Sequence, residues 1–187
     1  MQQKIVYLHG FASHWNPQAP KVKQLAPLGQ VSGFNLNYCQ SAQALVQKAL
    51  VQAYSISPTL LVGCSMGAWL AAEMAPWLGI PFVALNPCIE PSRTLQKFKG
   101  QGIDFNQQPY HLKQEHIESY ENINLIGEGI VFLDEEDELL NSQETKEVLE
   151  PIYPIISFAG GNHRFAHVPE TLPHIQQWLK QRRPLQA

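Results

Sequence analysis

Short, nearly uninterrupted apolar runs recur along the chain at Ile5–Leu8, Leu60–Gly63, Phe82–Leu85, Ile130–Leu133 and Ile155–Phe158, with helical patterns between them. A strand with one wet face alternates apolar and polar residues, so a run without alternation has to be covered on both faces. Several such runs joined by helical crossovers imply a parallel sheet with helices on both sides, an α/β architecture. A weaker strand candidate lies around Val31–Leu36. Helices are expected over Ala42–Tyr54, N-capped by Ser41, and from about Met66 to Leu78, where Gly79 supplies a stop. A last helix is expected over about Glu170–Arg183, with basic residues in its final turn. Between Pro87 and Gly127 the pattern breaks into Gly, Pro, Gln and isolated aromatics, and a small lid or irregular connection is expected at about 88–127. The 187 residues suit a single domain, 1–187, whose core needs no disulfide staples.

The charges narrow the function. The formal net charge is −3, and Lys and Arg are scattered singly or in pairs, without the concentrated positive field that a nucleic-acid partner requires. Cys39, Cys64 and Cys88 form no CxxC spacing, so neither a disulfide framework nor a zinc knuckle is indicated, and a reducing cytoplasm is the expected location. The opening MQQKIVYLHG is too brief for a signal h-region, and no run approaches the ~20 apolar residues of a membrane span. The acids are unevenly placed. None precedes Glu73, and 12 of the 16 fall between Glu115 and Glu150.

The strongest local signal is Gly63-Cys64-Ser65-Met66-Gly67, set between the run LLVG and a helical pattern. In that context a strained strand-to-helix turn lifts a serine hydroxyl above the sheet. The bland alternative is that the two glycines merely let strand and helix pack tightly. Cys64 is a rival nucleophile, but its place in the motif turns its side chain away from the site. A nucleophilic serine needs a base and a carboxylate to orient it. Of the three chain orders known for such triads, two put the acid first, and here no acid precedes residue 65. Serine, acid, histidine is the order left.

His163, in the glycine-rich AGGNHRF after the run IISF, is the best base, with His167 the nearest rival. The His163/His167 spacing also matches a helical metal site, but the preceding Gly-Gly-Asn opposes helix and no metal is expected. His111, His116 and His174 read as surface residues, and His14 as part of the site's rim. The acid should lie in Asp134-Glu135-Glu136-Asp137-Glu138, most of which reads as solvated. Asp137 has more reach than Asp134 and precedes Leu139-Leu140, which can anchor it; Asp134 stays as the alternative. The oxyanion hole would use the N–H groups of Met66, next after the serine, and of Phe11, in His9-Gly10-Phe11 after the first strand. Trp15, Trp69, Phe98, Phe105 and Tyr110 are candidates for an acyl pocket, though plain core is the commoner use of such residues.

Taken together, Tyr7-Leu8-His9-Gly10-Phe11, Gly63-Cys64-Ser65-Met66-Gly67, Leu85-Asn86-Pro87, Asp137-Glu138 and Gly160-Gly161-Asn162-His163 resemble the α/β-hydrolase superfamily and, more closely, the small bacterial YqiA-like esterases. The resemblance runs from about Lys4 to Trp178 and implies a Ser65, Asp137, His163 triad. It implies an esterase or thioesterase acting on a small or acyl-carrying ester, with no metal or organic cofactor. Two other readings use the same residues. One is a binding or regulatory protein that keeps the fold without turnover; the other is a triad enzyme performing acyl transfer or C–C cleavage.

Overall fold

The computed structural model describes residues 3–182. In chain order its elements are β1 (Gln3–Leu8), α1 (Pro20–Leu25), β2 (Gly29–Gly33), α2 (Ala42–Ile56), β3 (Leu60–Cys64), α3 (Met66–Leu78), β4 (Phe82–Leu85), α4 (Pro91–Leu95), β5 (Gly100–Ile103), β6 (Pro109–Leu112), α5 (Gln114–Glu118), β7 (Gly129–Asp134), α6 (Ser142–Leu149), β8 (Ile155–Phe158) and α7 (Val168–Gln181). Six strands form a wholly parallel sheet in the order β2-β1-β3-β4-β7-β8. The order reverses at β1 and β3, and a crevice at the carboxyl ends of the strands beside such a reversal is where α/β sheets bind ligands.

The uninterrupted apolar runs are explained by burial on both faces. Val6, Leu8, Leu61, Phe82, Ala84, Val131 and Leu133 meet α2 and α3 through Leu45, Ala49, Ala53 and Trp69 on one side. Ile5, Tyr7, Val62, Val83, Leu85 and Phe132 meet α1 and α7 through Val22, Leu25, Val168 and Ile175 on the other. Full burial of a Val, Leu or Ile side chain stabilises by about 1.5–3 kcal/mol, so a polar residue in the central strands would be costly. Local signals agree with this packing. Ser41 caps α2 by accepting from Ala44 N, and Gly79 ends α3 with φ +64°. Among the described residues no helix is long and apolar enough to cross a membrane.

Three expectations change. The strand anticipated at Val31–Leu36 pairs over Gly29–Gly33 instead. Beyond it Phe34, Leu36 and Tyr38 are buried in alternation with exposed Asn35 and Asn37, but the Leu36 N–H donates to His9 Nε2 rather than to a neighbouring strand. The last helix begins at Val168, before the anticipated Glu170, and Arg183, placed in it from the sequence, lies outside the described residues. The stretch 88–127 is ordered into α4, a 3₁₀ turn at Gln96–Phe98, an antiparallel β5/β6 hairpin and α5. Leu95, Leu112, Ile117 and Tyr120 pin it to the α2/α3 side of the core, and the Ile123 N–H closes it by donating to Ile89 O at 2.9 Å.

Candidate active site

Ser65 occupies the turn between β3 and α3 with φ +56° and ψ −121°, a sparsely populated conformation that costs on the order of 1–3 kcal/mol and persists only where packing imposes it. The two glycines of the motif make that packing possible. A Cβ on Gly63 would lie 2.1 Å from Gly67 O, and one on Gly67 would lie 2.0 Å from Leu8 O. The turn is held from below by Ser65 N donating to Leu85 O, while Ser65 O accepts from Ala68, Trp69 and Cys88 N–H groups. The Cys64 side chain packs with the α1/α7 cluster, where Lys21 Nζ donates to its Sγ at 3.2 Å; contrary to the expectation that it lies clear of the site, Cys64 is among the residues lining the cavity beside Ser65.

The structure brings Asp137 to His163. Nδ1 of His163 lies 2.9 Å from Asp137 Oδ2 and 3.0 Å from Oδ1, and the carboxylate side chain is 2 % exposed. Asp137 Oδ1 also accepts from the backbone N–H groups of Leu139 and Leu140, each at 2.8 Å. The apolar pair therefore anchors the acid through its amides. The neighbouring Glu138 Oε2 accepts from His163 N at 2.8 Å, and that bond, with one from its own amide, holds the exposed Glu138 carboxyl below its ordinary value.

Asp134 is committed elsewhere. Its fully buried carboxylate accepts from Asn162 N at 3.1 Å, from Ala166 N at 2.6 Å and, through Oδ1, from His167 Nδ1 at 2.7 Å. The loop carrying His163 thus wraps around Asp134, and the His167 ring stacks on Phe158 at 5.1 Å. Each histidine of the i, i+4 pair has its own aspartate, and the two do not converge on one point. Gly161, with φ +81°, allows the wrap, because a Cβ there would lie 2.1 Å from Asp134 Oδ2.

The loop after β1 crosses close above Ser65, with a Cβ on Gly10 3.4 Å from Ser65 Cβ. His9 fixes this loop. Its Nε2 accepts from Leu36 N at 2.9 Å, so Nδ1 carries the proton and donates to Gly10 O at 2.9 Å, while Tyr38 Oη donates to His9 O. Burial pushes the His9 pKa down to about 4, against a smaller upward pull from its Gly10 bond, so the ring is neutral at pH 7. Among the described residues neither the Phe11 nor the Met66 N–H has a protein acceptor, and no hydrogen bond joins Ser65 Oγ to His163.

Ser65, His163, Phe11 and Met66 line one cavity of about 1060 Å³. Of the aromatics proposed for a pocket, Phe98, Phe105 and Tyr110 line it, the first and last against Phe11 at 5.2 and 5.1 Å. Trp69 is instead core, edge-on to Tyr120, and Trp15 packs over Gly33. His14 lines the cavity; among the described residues its Nδ1 is buried without a partner. His111 and His174 are exposed, whereas His116, read from the sequence as surface, is partly buried, its Nδ1 having no partner among the described residues. One contributor went unassigned in the sequence. Asn86, directly after β4 with φ +43°, accepts from Asp134 N at 2.8 Å and donates to Asn162 O at 2.9 Å, tying β7 to the histidine loop. An Asn-Pro pair at a strand end was its only signal.

This sheet order, with a strained serine turn at its carboxyl edge, is that of the α/β-hydrolase fold. The chain is similar to Est1E from Butyrivibrio proteoclasticus, with a TM-score of 0.69 and 11% identity over 95% of this chain and 86% of that one. A putative hydrolase of the alpha/beta superfamily from Xanthomonas campestris pv. campestris matches with a TM-score of 0.64 and 15% identity over 97% of this chain and 99% of that one. By sequence, residues 4–180 match the model of the "Uncharacterised protein family (UPF0227)", and the chain belongs to that family. A UPF0227 protein from Shewanella sp. (strain MR-7) is 29% identical over 178 residues, covering 92% of this chain and 97% of the relative. One from Yersinia pseudotuberculosis is 28% identical over 179 residues, covering 92% and 95%.

Proposed function

We propose that this chain is a serine hydrolase that cleaves a carboxylic ester or thioester through an acyl-enzyme. Ser65 Oγ attacks the carbonyl carbon while His163 Nε2 takes its proton, and Asp137 holds the opposite nitrogen and favours the imidazolium that forms. The Phe11 and Met66 N–H groups receive the oxyanion; such donors are each worth about 10²–10³ in rate. His163 then returns the proton to the leaving alcohol or thiol. A water, deprotonated by the same histidine, attacks the acyl-Ser65 ester and releases the acid.

The observation that carries this reading is the Asp137–His163 pair opening onto the cavity that holds Ser65, lined also by Phe11 and Met66, whose N–H groups have no acceptor among the described residues. The missing Ser65–His163 bond does not oppose it, because such bonds are often long until substrate binds. The names of solved structures with this fold lean the same way: beside Est1E, one is a monoacylglycerol lipase from Paleococcus ferrophilus, at a TM-score of 0.63 and 15% identity. We also assign the protein to the cytoplasm, since Cys39, Cys64 and Cys88 are all free thiols.

The test is hydrolysis of p-nitrophenyl esters of graded acyl length. Turnover that vanishes in Ser65→Ala, with a preference for acyl chains short enough for the cavity, is expected. Release of p-nitrophenol no faster than with the Ser65→Ala variant across the series would remove the esterase reading.

A further inference from the structure

The cavity above Ser65 has two unlike sides. On one, Phe11, Phe98 and Tyr110 form an aromatic wall continuous with the α2/α3 core. On the other, Lys21 from α1 and Arg164 from the histidine loop reach the same cavity beside Val22 and Phe165, which belong to the α1/α7 core.

Neither cation is neutralised. Among the described residues no carboxylate pairs with Lys21 or Arg164. Lys21 Nζ donates to Arg164 O and Cys64 Sγ, leaving one of its three donors free. The Arg164 guanidinium lies over the Phe105 ring at 4.6 Å, which covers one face; its N–H donors point in the plane, and none has an acceptor among the described residues.

The nearby acids are bonded to other groups. About half of the cavity lining comes from residues 7–24 and 64–66, inside the stretch with no Asp or Glu before Glu73. Asp104 is the one acid lining the cavity among the described residues, and its Oδ1 is turned into its own hairpin, accepting from Asn106 and Gln108 N–H groups at 2.8 Å each. Asp137 faces His163, and the Glu138 carboxylate accepts from His163 N at 2.8 Å. The Lys21 and Arg164 side of the cavity thus presents two cations with no paired carboxylate among the described residues.

We infer that the substrate is an ester with an apolar group on one side of the scissile bond and an anionic group, carboxylate or phosphate, on the other, the apolar part on the aromatic wall and the anion on Lys21 and Arg164. This rests on the esterase reading and names the substrate class of that site. A free guanidinium fork accepts a carboxylate or phosphate through two parallel hydrogen bonds.

The test compares 4-carboxyphenyl butyrate with its neutral isostere 4-carbamoylphenyl butyrate, and the monophenyl ester of succinic acid with its carboxamide. The two pairs place the anion on the leaving-group or the acyl side. A preference of about tenfold or more in kcat/KM for the anionic member of either pair, weakening with added salt, is expected. Arg164→Gln should collapse that ratio and Arg164→Glu invert it, whereas Lys48→Gln, the same charge change at an exposed site on α2, should leave it as it is. Equal hydrolysis of both members, or a ratio indifferent to Arg164, overturns the inference and leaves the esterase reading standing. Failure of every ester overturns both, and fluorophosphonate labelling of Ser65 then shows whether the serine itself is inactive.

Discussion

Two Asp–His pairs sit a few residues apart and are nearly identical as local geometry: Nδ1 of His163 is 2.9 Å from Asp137, and Nδ1 of His167 is 2.7 Å from Asp134. Their surroundings assign them different work. Asp137 spends one oxygen on two loop amides and holds a ring that lines the cavity with Ser65. Asp134 spends its oxygens on two amides that bracket His163 and on a ring stacked against Phe158. One pair shares a cavity with Ser65, the nucleophile of the proposed reaction, and the other fastens the loop that carries the first. A histidine–carboxylate contact is thus no mark of catalysis until a third group and a space for substrate are beside it.

The largest separation between the pairs should appear in turnover. Ser65→Ala and His163→Ala are each expected to lower kcat by about 10⁴-fold or more, and Asp137→Asn by about 10³–10⁴-fold, with the folded state retained. His167→Gln should keep kcat within about tenfold of wild type, since that ring does not line the cavity. If His167→Gln matched His163→Ala, the division of roles would be lost.

Stability should show the reverse order. Asp134→Asn removes the charge from a fully buried acceptor of three bonds, and urea unfolding should report a loss of about 3 kcal/mol; Asp137→Asn should cost about 1 kcal/mol. Gly161→Ala probes what the pairs share. It places a Cβ against the Asp134 carboxylate at a positive φ, so stability should fall by about 2 kcal/mol and activity should fall with it.

His9 adds a contrast, a buried ring with no carboxylate. Its folded pKa, pushed down to about 4, lies below the unfolded value near 6.5, so the unfolded chain binds the proton first as pH falls. The stability it contributes is present above pH 6.5 and is lost on descending toward pH 4. The slope, about 1 kcal/mol per pH unit in that window, should flatten in His9→Gln when unfolding is measured from pH 7 to 4.5.

Much of this was legible in the chain. The central strands were readable because burial on both faces favours unbroken apolar runs, and the serine turn because Gly63 and Gly67 stand where the backbone leaves no room for a Cβ. Reach and the following Leu139-Leu140 favour Asp137 over Asp134, but the sequence alone leaves Asp134 open. Their roles are set by backbone bonds from Glu135 to Phe158 and from Glu136 to Gly160, which fix where the acidic loop meets the histidine loop. The 88–127 segment was opaque for a similar reason: its anchors, such as Leu95, Leu112 and Tyr120, are spaced to fit distant helices and obey no period of their own.

The most direct test of the division between the pairs, and of the serine they are judged by, is covalent labelling of the folded protein with a fluorophosphonate, read by mass spectrometry of the modified peptide. One adduct on Ser65 is expected, absent in Ser65→Ala, formed far more slowly in His163→Gln and at near wild-type rate in His167→Gln. A folded wild-type protein left unlabelled, or labelled at a rate that follows His167 rather than His163, would contradict the assignment.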